Sequence, residues 1–222
     1  SPGPVGGAFF LALPFLSFLP LASLGMVEES GSGASALVWL LAAALGTGIG
    51  SGRGLREEDS VWLVQKGISL GESAMEDWIL DMGISALACL WWAGVAALAL
   101  APNDALLRIV PAHFLLGFLT CLLARALVGF LSAWGARRPA DMAVALVFLS
   151  LMAPLLLARW SDRAREVVGW LLPPFLKAPA FVSTLMAGEI GSAAGALLHV
   201  LTFAGLLLGA TCWRLERWRP RG

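Results

Sequence analysis

Two histidines, His113 and His199, stand in apolar runs of a chain that has no others. A pair of imidazoles at matching depth between helices is the donor set that holds a haem iron or a metal ion. The simpler reading is hydrogen-bonded packing of one helix on another. Arg125 is the second group with chemical potential. It lies deep in an apolar run, where a charge costs on the order of 2.5–3.5 kcal/mol and turns to the bundle interior or a cavity. There it either meets an anionic group on a substrate path or snorkels toward water. Its acidic partner is not evident, since Asp141, Glu189 and Glu216 only flank the apolar runs. Cys89, Cys121 and Cys212 all fall inside apolar runs. Their spacing fits no zinc or redox motif, so they read as small buried hydrophobes and no metal site is expected. The sequence has no Ser-His-Asp or His-Glu-x-x-His pattern and no paired intramembrane carboxylates. A membrane protease is therefore not expected.

The elements that carry these residues follow from composition. Of 222 residues, 59% are hydrophobic and 14% charged, against about 25% charged in a soluble domain. Mean hydropathy is +0.81. Continuous apolar runs of about 20 residues read as membrane helices, and nothing shows the short alternation of a barrel. The expected fold is an all-α integral membrane protein, a single transmembrane domain over residues 1–222. Six transmembrane helices are expected, at about 8–25, 34–50, 82–101, 110–131, 140–158 and 193–213. The first run has no basic n-region and reads as a span, not a signal peptide. Most tryptophans fall near span ends, as interfacial anchors do. Net charge is zero, which gives no pull toward nucleic acid. Two lysines, one asparagine and no tyrosine, beside abundant Ala, Gly and Leu, suit a GC-rich bacterial genome.

Orientation follows from Lys and Arg in short loops. Arg53, Arg56 and Lys66 follow the second run, Arg137 and Arg138 follow the fourth, and Arg214, Arg217, Arg219 and Arg221 follow the sixth. These loops and both termini are expected on the cytoplasmic side of a bacterial inner membrane that the chain crosses several times. Residues 161–191 dissent, with Arg163, Arg165 and Lys177 in a loop assigned to the outside. Their middle is too apolar for a solvated loop and is broken by Pro173, Pro174 and Pro179. Such a stretch is expected either to re-enter the outer membrane face as two short helices or to lie in the interface.

The charged interlude between the second and third runs, LREEDSVWLVQKGIS, places Val61, Val64 and Ile68 at helical spacing with Trp62 nearby. Gly67 and Gly71 are expected to break that helix. Ser73, three residues before Glu76, is a candidate N-cap for the next one. The result is a short amphipathic helix across the cytoplasmic face. Its acids make it a poor ligand for anionic lipid and favour a protein partner.

This layout resembles the type-2 ABC transporter permeases. The resemblance rests on six spans, a charged loop after the second, a broken apolar loop before the sixth, and the cluster Arg56-Glu57-Glu58-Asp59 followed by Gly67-Ile68-Ser69. Gly67 replaces the family's usual proline, and Glu76, Asp77 and Asp81 stand where a basic residue is common. The resemblance implies that the interlude is a coupling helix seated in an ATPase subunit, with Glu57, Glu58, Asp59, Trp62, Val64, Gln65 and Ile68 at the contact. It implies a dimer with a second permease half, set in lipid, and an exporter driven by ATP. No G-x-x-x-x-G-K-[ST] loop is present, so ATP and Mg²⁺ belong to the partner and no cofactor is expected in this chain. A haem-exporter-like permease of cytochrome c maturation, and a non-transporting scaffold or haem-binding subunit, are the alternatives.

Overall fold

The computed structural model describes residues 65–100, 106–157 and 160–217. Every regular element among them is helical. They are α1 (Leu70–Leu100), α2 (Leu106–Ala133), α3 (Pro139–Leu156), α4 (Asp162–Leu171), α5 (Lys177–Met186) and α6 (Ile190–Glu216). α2 is the central helix and touches α1, α3, α5 and α6, while α1 and α5 also pack on α6. The reason lies in its sequence. Leu116, Leu119, Leu123, Ala126 and Leu127 recur at three- and four-residue steps and are all buried. α2 closes on Gly135, whose φ of 84° is open to glycine without strain. The Ala136 N–H donates to the Leu131 carbonyl and the Gly135 N–H to Ser132, which satisfies two end carbonyls.

The six-span architecture expected from the sequence is corrected by these helices. Two among the described residues are long and apolar enough to cross a membrane, Phe114–Ala133 within α2 and Ile190–Glu216. The stretch 82–101 continues a 31-residue helix whose opening carries Glu72, Glu76, Asp77 and Asp81. The stretch 140–158 forms α3, Pro139–Leu156, whose 18 residues fall a little short of the roughly 20 that a crossing takes. The runs 8–25 and 34–50 lie outside the described residues, as does most of the expected coupling helix, including Glu57, Glu58, Asp59, Trp62 and Val64.

The apolar stretch expected to re-enter the outer face forms two short helices, the second of which packs on the bundle. Residues 161–189 form α4 and α5, joined at Pro173 and Pro174, and α5 packs on α2 and α6. Leu172 is extended, with φ −78° and ψ 148°, as the residue before a proline must be. The turn drives Phe175 into the core, where it is 1% exposed, with Ala178, Phe181 and Val182 buried behind it. That burial accounts for part of the apolar character of the stretch, while Val167, Trp170 and Leu171 stay exposed.

The two long helices differ in what they cover. The Phe114–Ala133 window is 56% buried in the protein, the Ile190–Glu216 window only 22%. α6 exposes Ile190, Leu198, Leu201 and Leu206, and α1 exposes Ile79, Leu80, Ile84 and Leu87. Contiguous apolar surface of this kind is costly in water and costless against hydrocarbon. The chain therefore associates with a membrane, with α2 as the packed helix and α6 the more exposed of the two long apolar ones.

Candidate functional site

The chemistry-bearing residues gather along the seam where α1 runs antiparallel to α2. Asp77 and Asp81 lie four residues apart on α1, and Asp81 and Cys89 eight apart, so they share one face. Cys121 and Arg125 lie four apart on α2. Arg125 forms an ion pair with Asp81, at 20% and 31% side-chain exposure, and the Asp77 carboxylate also acts on the guanidinium. Arg125 therefore has the acidic partner that neither Asp141, Glu189 nor Glu216 supplies. Trp78, in the same turns of α1, has its indole Nε1 buried with no hydrogen-bond partner. Further along, the sulfurs of Cys89 and Cys121 stand 3.9 Å apart. Thr120 does not join this line, because its hydroxyl donates to the Leu116 carbonyl at 2.7 Å. Ser150 and Thr211 do the same within their own helices, which is how a hydroxyl is satisfied in an apolar bundle.

One end of the bundle collects the charge. Gly71, in the first turn of α1, faces the end of α6 so closely that an added Cβ would lie 3.1 Å from the Glu216 Cγ. Arg214 of α6 reaches over the Trp134 ring beyond the end of α2, at 5.8 Å, and Arg217 over Trp213 at 4.3 Å. Arg138, before α3, pairs loosely with Asp141 at 3.9 Å. The start of α1, the end of α2, the start of α3 and the end of α6 thus share one face, with Arg137, Arg138, Arg214 and Arg217 upon it.

The interlude enters this face. Gln65 and Ile68 are exposed, and Ile68 keeps 40% of its surface open. Gly67 breaks the chain direction at φ 74°. The next helix then starts earlier than expected. Ser69, not Ser73, is the cap: its carbonyl accepts from Ser73 N–H at 3.1 Å and its hydroxyl from Glu72 N–H at 3.4 Å. Gly71 is buried inside the helix and does not break it. The S-x-x-E pattern stood at both positions. The glycine in the left-handed region, immediately upstream, decides between them.

His199 is buried on α6 and stacks on Trp170 of α4, with ring centroids 4.1 Å apart. Its Nε2 is covered and has no partner, so a haem iron has no open approach to that nitrogen in this arrangement. His113 lies in α2, and its side chain falls outside what is described. Among the described residues no group of three or more His, Cys, Asp or Glu is placed to hold a metal ion. Sequence reasoning missed the Asp81–Arg125 pair and the Trp170–His199 stack. The first was recoverable, since antiparallel neighbours joined by a short turn bring residue 81 opposite residue 125. The second depends on how α4 folds back, which no local pattern encodes. No protein family, curated protein or solved structure matches the chain.

Proposed function

We propose that this chain is the membrane subunit of an ATP-driven exporter in a bacterial cytoplasmic membrane, of the type-2 ABC permease kind. ATP is hydrolysed on a separate subunit, and a second permease half completes the assembly. The observation that carries the reading is the position of Gln65–Ile68. This exposed segment enters the bundle at the same end as Arg137, Arg138, Arg214 and Arg217, the end that the positive-inside rule sets in the cytoplasm. An ATPase bound there would push on residues 57–68. The load would enter α1 at its Ser69 cap and cross to α2 through the Asp81–Arg125 pair. Acids at Glu57, Glu58 and Asp59 would steer a basic cleft of the ATPase into register.

Charge reversal tests the reading. The triple variant Glu57→Lys, Glu58→Lys, Asp59→Lys in the native host is expected to release the ATPase or to uncouple its turnover from transport. Retained association with unchanged ATP-driven transport would remove the coupling assignment.

A further inference from the structure

We propose that Arg137, Arg138, Arg214 and Arg217 form a binding face for the phosphate headgroups of anionic phospholipid, set around Trp134 and Trp213. The two helices long and apolar enough to cross a membrane both finish at this end, one at Ala133 and the other at Glu216. A tryptophan marks each finish. Trp134 directly follows the first, Trp213 lies in the last turn of the second, and both are exposed. Tryptophan settles at the level where hydrocarbon gives way to headgroups. All four arginines follow one of these tryptophans by no more than one helical turn of sequence and are exposed, which sets them at the depth of the lipid phosphate.

The rings and the guanidinium groups already stand together. Arg214 of α6 lies over Trp134 beyond the end of α2, at 5.8 Å, and Arg217 lies over Trp213 at 4.3 Å. A guanidinium held on a ring face keeps its N–H edge for a second partner, and that planar fork matches phosphate oxygens. The Arg214–Trp134 contact also brings the end of α6 to the turn that carries Arg137 and Arg138. Acids do not cancel the charge. Arg138 meets Asp141 only at 3.9 Å, with side chains 83% and 72% exposed, the open geometry of an ion pair worth little. Glu216 lies against Gly71 of α1. Glu72, Glu76 and Asp77 all belong to α1, which contributes no arginine here. The occupant is the bilayer's own lipid because the apolar helices that carry the arginines end at its surface. A basic cluster in that place attracts an anionic leaflet.

The face stands independently of the transport reading. The test uses the full chain in a nonionic detergent, titrated with phosphatidylglycerol and with phosphatidylcholine of the same acyl chains, bound lipid being counted by native mass spectrometry. An arginine near an anionic surface contributes about 1 kcal/mol, roughly a fivefold change in affinity. The wild type should prefer phosphatidylglycerol. Arg138→Gln and Arg214→Gln together should weaken that lipid roughly 25-fold, two such factors multiplied, and leave phosphatidylcholine bound as before, which also reports an intact fold. Arg163→Gln, on α4 at the far end of the bundle and beside Asp162, should leave the preference unaltered. Equal affinity of the wild type for the two lipids would give the arginines to a protein surface and overturn the proposal. A preference that survives in the double variant would overturn it too, as would an equal loss from Arg163→Gln, which would reduce the effect to net charge. Complete displacement of the lipid by glycerol 1-phosphate at the same concentration would make the ligand a soluble phosphate and likewise refute it.

Discussion

Removing one member of the Asp81–Arg125 pair strands the other in a packed apolar seam. Breaking a fully buried ion pair costs about 3–5 kcal/mol, because the remaining charge is uncompensated. Here the two side chains keep 20% and 31% of their surface, so water screens part of the loss. We expect Asp81→Leu, which leaves a lone guanidinium in α2, to destabilise by about 1.5–3 kcal/mol. Arg125→Leu leaves a carboxylate nearer the charged end, beside Asp77, and should cost about 1–2 kcal/mol on the same grounds. The double variant replaces both charges with hydrocarbon in a membrane bundle and should lie close to wild type, since such exchanges are often neutral or stabilising. The cycle should therefore return a coupling of at least ~1 kcal/mol. Denaturant unfolding in mixed micelles, read by tryptophan fluorescence, supplies the midpoints. Costs that add within about 0.5 kcal/mol, the scatter of independent sites, would refute the view that this pair ties α1 to α2.

Two glycines four residues apart, Gly67 in the turn before α1 and Gly71 in its first turn, should respond to alanine with opposite sign. Gly67→Ala should destabilise by about 1–2 kcal/mol, because φ 74° is left-handed backbone. Gly71→Ala should be neutral or stabilising by up to about 1 kcal/mol, since α1 gains a better helix former and the crowding atoms are the flexible end of Glu216; equal shifts in thermal midpoint for the two variants would contradict this. His199→Phe keeps the stack on Trp170 and removes the buried Nε2 that has no partner, so it should be neutral or stabilising by about 1 kcal/mol. A loss of more than that in the same unfolding assay would mean that the imidazole has a polar partner in the membrane.

The sequence made the helical, membrane-associated character legible, because long apolar runs in a weakly charged chain leave few other folds. It misled on the number of crossings. Hydropathy alone delimits spans at 82–101 and 140–158, whereas helix α1 begins at Leu70 with charge from Glu72 through Asp81, and α3 is only 18 residues long. The apolar character of 161–191 has two sources: Phe175 and Phe181 are buried in the bundle's core, and Val167, Trp170 and Leu171 lie on its surface. At the seam, Arg125 was singled out by the cost of its charge, while its partner was concealed because Asp81 reads as part of a polar loop. Cys89 and Cys121 were read correctly as apolar-run residues. Their proximity emerges only when α1 and α2 are laid antiparallel, since 32 residues separate them in sequence.

The most direct measurement is a photo-crosslink from Ile68. A photoreactive amino acid placed at this exposed position, in the full chain expressed in its native host, should capture an ATP-hydrolysing subunit upon illumination, and the capture should weaken in the Glu57, Glu58, Asp59 charge-reversal variant. Crosslinking to lipid alone, or to the chain's own residues with no nucleotide-hydrolysing partner, would contradict the transporter assignment.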